Sequence, residues 1–149
     1  MSRVEITFQE YQDRREGLIK ALSKGLETLI EEAKKINKHT PYEERKCLWG
    51  LKNKGWELKR PIYPTFEEPP HPQPLVEFDE AVTTLTEWIS LVSDYSDAWL
   101  AGFSAYNSLS FSQHERMELF ARMDELPCLK FVVVVPHISE PKPDTAAQI

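Results

Sequence analysis

Six of the chain's eleven prolines fall within residues 61–74. Proline has no backbone N–H and fixes φ, so neither a helix interior nor a central strand can run through this stretch. Extended, polyproline-like backbone is expected there. The segment is either a flexible spacer or an arm pinned across its neighbours. Tyr63 and Phe66 favour the arm, because a spacer has no use for rings.

Both flanks are helical in pattern. Thr7 and Glu10 have the spacing of a capping box. From there the apolar series Tyr11, Leu18, Leu22, Leu26, Leu29, Ala33 and Ile36 follows the 3.6-residue period, with Arg15 as its charged member. One long helix from about residue 8 to 38 is therefore predicted. Gly17 and Gly25 are tolerable inside it if something packs closely at those positions. Residues 47–51 and 56–58 read as an irregular hairpin or two short extended pieces. Beyond the prolines, residues 79–107 are again helical, with Ala81, Val82, Leu85, Trp88, Ile89, Val92, Tyr95, Trp99, Leu100 and Phe103 suited to a buried face. Ser93–Asp97 is a potential break, with Ser96 or Asp97 capping a second helix. Ser112 and Glu115 form another capping box, opening a helix to about Leu126 with Met117, Phe120 and Met123 on one stripe. Leu129–Val135 is the strongest strand signal in the chain. Residues 136–149 read as a disordered tail or a truncated linker. The fold class expected is mainly α with a small β element. Long helices pack with the proline-rich arm and a short C-terminal strand, and residues 1–135 form the domain.

The charge is divided along the chain. Residues 1–60 carry +4 and residues 61–149 carry −10, within a net −6. No run of 18 apolar residues is long enough to cross a membrane, and the N-terminus lacks an apolar signal core, so an intracellular setting is expected. Two cysteines exclude a disulfide framework and a thiolate-based zinc site.

Catalytic and metal chemistry find little footing. His39, His71, His114 and His137 are dispersed, and none forms a metal-ligand pair at helical spacing. Asp94 and Asp97 are more simply two acids at a helix start than an acid/base pair. Cys128 reads as a buried small hydrophobe. Cys47 has basic neighbours that favour a thiolate, but no nearby histidine to act as base. No phosphate-binding glycine loop is present. The expectation is a protein that is not an enzyme and carries no cofactor and no metal.

One polar cluster stands out. Arg45, Lys46, Lys52, Lys54, Lys59 and Arg60 are interleaved with Trp49 and Trp56. This pattern suits phosphate contacts and base stacking, or docking to an acidic partner. The simpler reading has both tryptophans in the core with the lysines in water, and the negative net charge favours it. Trp49, Trp56, Tyr95 and Trp99 are the candidate partner-binding residues, since aromatic side chains dominate interface energetics.

The order of these segments resembles a known family. Arg14-Arg-Glu-Gly-Leu-Ile-Lys-Ala-Leu22 is followed by Cys47-Leu-Trp-Gly-Leu51, Trp56-Glu-Leu58 and the proline-rich stretch. Then come Trp88-Ile-Ser-Leu-Val92, Ser96-Asp-Ala-Trp-Leu100, Glu115-Arg116 with Leu119-Phe120, and Glu125-Leu-Pro127. Over about residues 8–135 this is similar to the N-terminal domain of the plant Alfin-like PHD-finger proteins. The resemblance implies a nuclear, chromatin-associated protein whose N-terminal domain binds protein partners, Polycomb RING-type subunits among them, and self-associates. A DNA-binding role is also implied for the family. The family's PHD finger reads trimethylated lysine 4 of histone H3. Its zinc ligands do not occur in these 149 residues, so that activity does not carry over. Tyr106–Ser112 and residues 38–46 also depart from the family pattern.

Overall fold

The computed structural model describes residues 1–61 and 69–134. Helix α1 (Arg3–Ala21) starts earlier than Thr7, because Ser2 is the better-placed cap: its Oγ accepts the Glu5 N–H at 3.1 Å. Thr7 and Glu10 lie inside the helix, where a capping box has no orphan amides to satisfy. The single helix expected over 8–38 is two helices. α1 closes at Leu22, and α2 (Leu26–Lys34) restarts from Gly25. The physical reason is contact. A Cβ on Gly25 would stand 2.4 Å from Cζ2 of Trp56, so the indole packs where a side chain would otherwise be. Arg15 is buried, as its place in the apolar series suggests, and its Nη2 donates to the Pro127 carbonyl at 2.6 Å.

Residues 47–59 form a hairpin. β1 (Cys47–Gly50) and β2 (Trp56–Lys59) pair antiparallel, with Cys47 opposite Lys59 and Gly50 opposite Trp56. The turn places Lys54 at φ 67°, and Asn53 Oδ1 accepts the Gly55 N–H at 2.9 Å. α1 lies directly against this hairpin. A Cβ on Gly17 would be 1.8 Å from the Gly55 carbonyl oxygen, and one on Gly50 would be 2.2 Å from that of Arg14. Backbone meets backbone at both points, so only glycine fits. Arg14 Nη1 seals the junction by donating to the Gly50 carbonyl at 2.9 Å.

After Glu68 the chain runs extended. Pro74 bridges to Cys47, the Leu75 N–H donates to the Lys46 carbonyl at 2.9 Å, and the Phe78 N–H donates to the Ala33 carbonyl at 3.3 Å. Residues 62–68, including Tyr63 and Phe66, lie outside the described residues, as do residues 135–149.

Helix α3 (Leu85–Asn107) begins at a Thr84 cap rather than at residue 79. Ala81 and Val82 consequently sit in an exposed turn, with Val82 79% accessible, and are not part of the buried face. The helix passes through Ser93–Asp97 without a break. Ser93 Oγ donates to the Ile89 carbonyl one turn back at 2.7 Å, so the hydroxyl is satisfied within the helix. α4 (Gln113–Asp124) carries the Ser112–Glu115 capping box. Its buried stripe is Leu119 and Met123, while Met117 faces solvent.

Over the described residues 129–134 the strand expectation fails. Leu129–Val133 is a short helix, α5. Its first amide, that of Leu129, donates to Asp97 Oδ2 at 2.9 Å. One helical turn brings Leu129 and Val133 into the same core, and Val134 joins them. Tertiary burial and a borrowed cap thus override the β-propensity of the valines.

The main core gathers Leu18, Leu22, Leu29, Leu48, Trp88 and Leu100 between the helices and the hairpin. A smaller cluster of Val4, Phe111, Leu119 and Met123 joins α1 to α4. Arg3 locks it with a two-point ion pair to Glu115, Nε to Oε2 at 2.7 Å. The basic and acidic halves therefore face each other in places, as Lys34 and Glu80 also do at 2.6 Å.

Candidate protein-interaction surface

The centre of the aromatic surface is α3. Positions 92, 95, 99 and 103 advance by three and four residues, which keeps them along one side of the helix. Trp99 is buried and stands edge-on to both neighbours: 5.8 Å and 74° from Trp49, 5.5 Å and 62° from Phe103. Such edge-to-face geometry suits the ring quadrupoles. Cations cover both ends of the row. Lys59 Nζ lies 4.2 Å above the Trp49 ring, and the Arg14 guanidinium lies 4.3 Å from the Phe103 centroid. Trp99 Nε1 donates to the Pro70 carbonyl at 2.9 Å, and Trp88 Nε1 donates to that of Val76 at 3.0 Å. Two indoles of α3, three turns apart, thus hold the extended stretch that follows Glu68.

One turn before Trp99, Tyr95 is 38% exposed. It opens onto a groove of about 220 Å³ lined by Pro70, His71, Gln73, Ala98, Trp99 and Gly102 in addition to itself. Gly102 leaves the floor open, since a Cβ there would meet only Pro70 Cγ, at 3.9 Å.

Of the four aromatic candidates, the structure brings Trp49, Tyr95 and Trp99 to one region and sends Trp56 elsewhere. Trp49 pairs with Glu57 and Trp56 with Gly50, so strand alternation puts the two tryptophans on opposite faces of the hairpin. Trp56 packs against the α1–α2 junction at Gly25. The groove residues Pro70, Ala98 and Gly102 were not identifiable from sequence, because nothing local distinguishes a glycine that floors a groove from one that merely interrupts a helix.

The basic candidates are largely occupied by their own chain. Arg45 donates to the Thr40 and Asn37 carbonyls, both at 3.2 Å. Lys46 pairs with Glu32 at 2.8 Å, and this hydrogen bond holds the Glu32 carboxyl below its ordinary range. Lys52 stands 3.6 Å from Glu10, and Lys59 is 3.2 Å from Glu57. Lys54 lies in the hairpin turn, and Arg60 is exposed just beyond β2. These six do not form one open cationic face.

The remaining chemical candidates have structural positions. Burial pushes the Cys47 thiol up to about 11, against the direction a reactive thiolate requires. Cys128 is exposed rather than buried and stands just before α5 without a side-chain capping bond. Asp94 and Asp97 are not at a helix start but in the middle of α3. Asp94 faces Lys130 at 3.8 Å, and Asp97 caps α5. Burial raises the Asp97 carboxyl, partly offset by that backbone hydrogen bond. Among the described residues no group of three or more histidine, cysteine or carboxylate side chains could hold a metal ion, and no helix is long and apolar enough to cross a membrane.

Comparison with known proteins gives this architecture a family. Residues 3–135 match the Alfin family. PHD finger protein ALFIN-LIKE 7 of Arabidopsis thaliana is 33% identical over 145 residues, which covers 96% of this chain and 55% of that protein. ALFIN-LIKE 3 of the same plant is 33% identical over 132 residues, covering 87% and 50% respectively. Alfin1 of Medicago sativa is 32% identical over 126 residues, covering 83% and 47%. The chain spans about half the length of these relatives. The match runs through both helical halves and the hairpin between them, and on it the chain belongs to the Alfin family, whose N-terminal domain it carries.

Proposed function

We propose that this domain is a non-enzymatic protein-interaction module of a nuclear, chromatin-associated regulator, and that it presents the Tyr95–Trp99 surface to a subunit of a chromatin complex, such as a Polycomb RING-type protein. One observation carries the reading. Three phenylalanine or tyrosine rings are exposed among the described residues, Tyr42, Tyr95 and Phe131, and of these Tyr95 alone lines the groove beside α3, next to the small residues Ala98 and Gly102. A rigid aromatic beside a concave surface is what binding hot spots are made of. Family membership supplies the nuclear and chromatin setting, since the relatives are PHD finger proteins. Self-association through the same surface belongs to this reading. The nucleic-acid reading of residues 45–60 gains little support, because four of the six cations already have partners within the chain.

Affinity capture from plant nuclear extract, followed by mass spectrometry, tests the reading. The wild-type chain is expected to enrich chromatin-complex subunits, and Tyr95→Ala to lose them while keeping its helical circular dichroism. Equal capture by both proteins would remove Tyr95 from the interface. A molecular-mass measurement in solution on the same pair tests self-association, with a shift toward monomer expected for Tyr95→Ala.

A further inference from the structure

Thr40 is the only serine or threonine of the sequence that is followed by proline. It stands in the loop between α2 and β1. From Asn37 to Glu44 no residue is buried, and every one except Thr40 is exposed. The turn that carries it is held by local bonds. The Thr40 N–H donates to the Asn37 carbonyl and the Asn37 N–H donates to Thr40 Oγ1, both at 3.0 Å. The His39 N–H donates to Asn37 Oδ1 at 2.8 Å. Such a turn opens readily, because no apolar contact is lost with it. Thr40 Oγ1 only accepts here, and the described residues give its own proton no acceptor. Pro41 follows on extended backbone, at φ −59° and ψ 147°, before the single turn Tyr42–Glu44. A hydroxyl followed at once by proline, in an exposed segment that can open, is what a proline-directed protein kinase reads. Proline suits the kinase's next subsite because it has no N–H to leave unpaired there.

The surroundings suit the modified residue. Thr40 lines a cavity of about 230 Å³ together with Glu32, Lys35, Ile36, Glu44 and Lys46. Lys46 meets Glu32 at 2.8 Å and Lys35 meets the same carboxylate at 3.6 Å, so two ammonium groups share one partner. Arg45 brings a guanidinium to the same residue, its Nε donating to the Thr40 carbonyl at 3.2 Å. Lys38 is exposed two positions earlier. Against these four cations stand Glu32 and the exposed Glu43 and Glu44. A phosphate carries about −1.5 to −2 charges at neutral pH. It therefore outcompetes the single charge of Glu32 for a half-exposed lysine, and the neighbouring guanidinium can take it with two parallel bonds.

We propose that Thr40 is a phosphorylation site, modified by a proline-directed protein kinase, and that its phosphate is held by Lys35, Arg45 and Lys46. In the transfer, Thr40 Oγ1 attacks the γ-phosphorus of ATP. The Oγ1–P bond forms, the bond from that phosphorus to the bridging oxygen breaks, and its electron pair leaves with ADP. The hydroxyl proton passes to the carboxylate base of the kinase. The phosphate then takes Lys46 over from Glu32. The Glu32 carboxyl, which that lysine holds below its ordinary range, rises as a result. This site is independent of the Tyr95–Trp99 surface.

The test treats the folded full chain with ATP and a mitogen-activated protein kinase and locates the phosphate by mass spectrometry. One phosphate, on Thr40, is expected. Thr40→Ser should keep the incorporation, Thr40→Ala should abolish it, and Pro41→Ala should slow it at least about tenfold. No phosphate on Thr40 of the folded chain, even where a peptide of residues 34–48 is modified, would overturn the site. Incorporation that Pro41→Ala leaves unchanged would do the same. Phosphorus NMR reads the holding groups. The second ionisation of the phosphate should fall at least about half a pH unit lower in the folded chain than in the phosphorylated peptide, because nearby cations favour the dianion. The exposed-side changes Lys35→Gln and Lys46→Gln should narrow that difference, and the Glu32 midpoint should rise on phosphorylation. Equal ionisation in chain and peptide, or an unmoved Glu32, would overturn the assignment of the holding groups.

Discussion

Single atoms decide several features of this domain. At Gly17 the missing Cβ admits the Gly55 carbonyl. Gly17→Ala is expected to cost on the order of 3 kcal/mol by overpacking, read as a lowered denaturation midpoint. Gly102→Ala, in open space on α3, should instead stabilise by about 0.5–1 kcal/mol through helix propensity. Both are glycines within helical patterns, and only their surroundings separate them. The Arg3 hydrogen bond pulls the Glu115 carboxyl down to about 2. A carboxylate with a depressed folded-state value adds stability above its unfolded value, and that stability is lost as pH falls through the folded one. Arg3→Ala should therefore raise the Glu115 titration midpoint toward the ordinary carboxylate range by NMR. It should also flatten the loss of stability between about pH 5 and 2. The two thiols should separate as well: a thiol reagent at neutral pH labels Cys128 in the native protein, and Cys47 only after unfolding.

At the level of elements, what could be read from sequence was whatever local chemistry decides. The Ser112–Glu115 box is one such case, since both hydrogen bonds are made within four residues. The hairpin was legible only as one of two alternatives, although its turn carries Asn53 and Gly55. Elements decided by distant partners were hidden. The α1–α2 break depends on the indole of Trp56. α5 depends on a cap from Asp97, 32 positions away, and without it the valine run looks like a strand. Asp97→Ala should cost about 1 kcal/mol and remove hydrogen-exchange protection from the Leu129 amide. Unchanged protection there would mean that burial of Leu129 and Val133 alone holds α5.

Across the whole molecule, the proline-rich division and the charge asymmetry were both visible in the sequence, but their consequence was not. The two halves meet along α1 and the hairpin, and cross-pairs such as Lys34–Glu80 and Arg3–Glu115 consume part of the asymmetry. Along α3 lies the aromatic groove, with Lys59 and Arg14 over the rings that flank Trp99 and Asp94 paired with Lys130. The basic residues 45–60 stood out in the sequence as a polar cluster, but their pairing within the chain was invisible there. Trp49, Tyr95 and Trp99 were legible as candidate aromatics but not as neighbours. The most direct test is a hydrogen-exchange footprint of the domain with and without a partner captured from nuclear extract. Slowed exchange in residues 70–73 and 95–102, with little change over 45–60, is the predicted result. Protection confined to residues 45–60, with α3 unaffected, would contradict it.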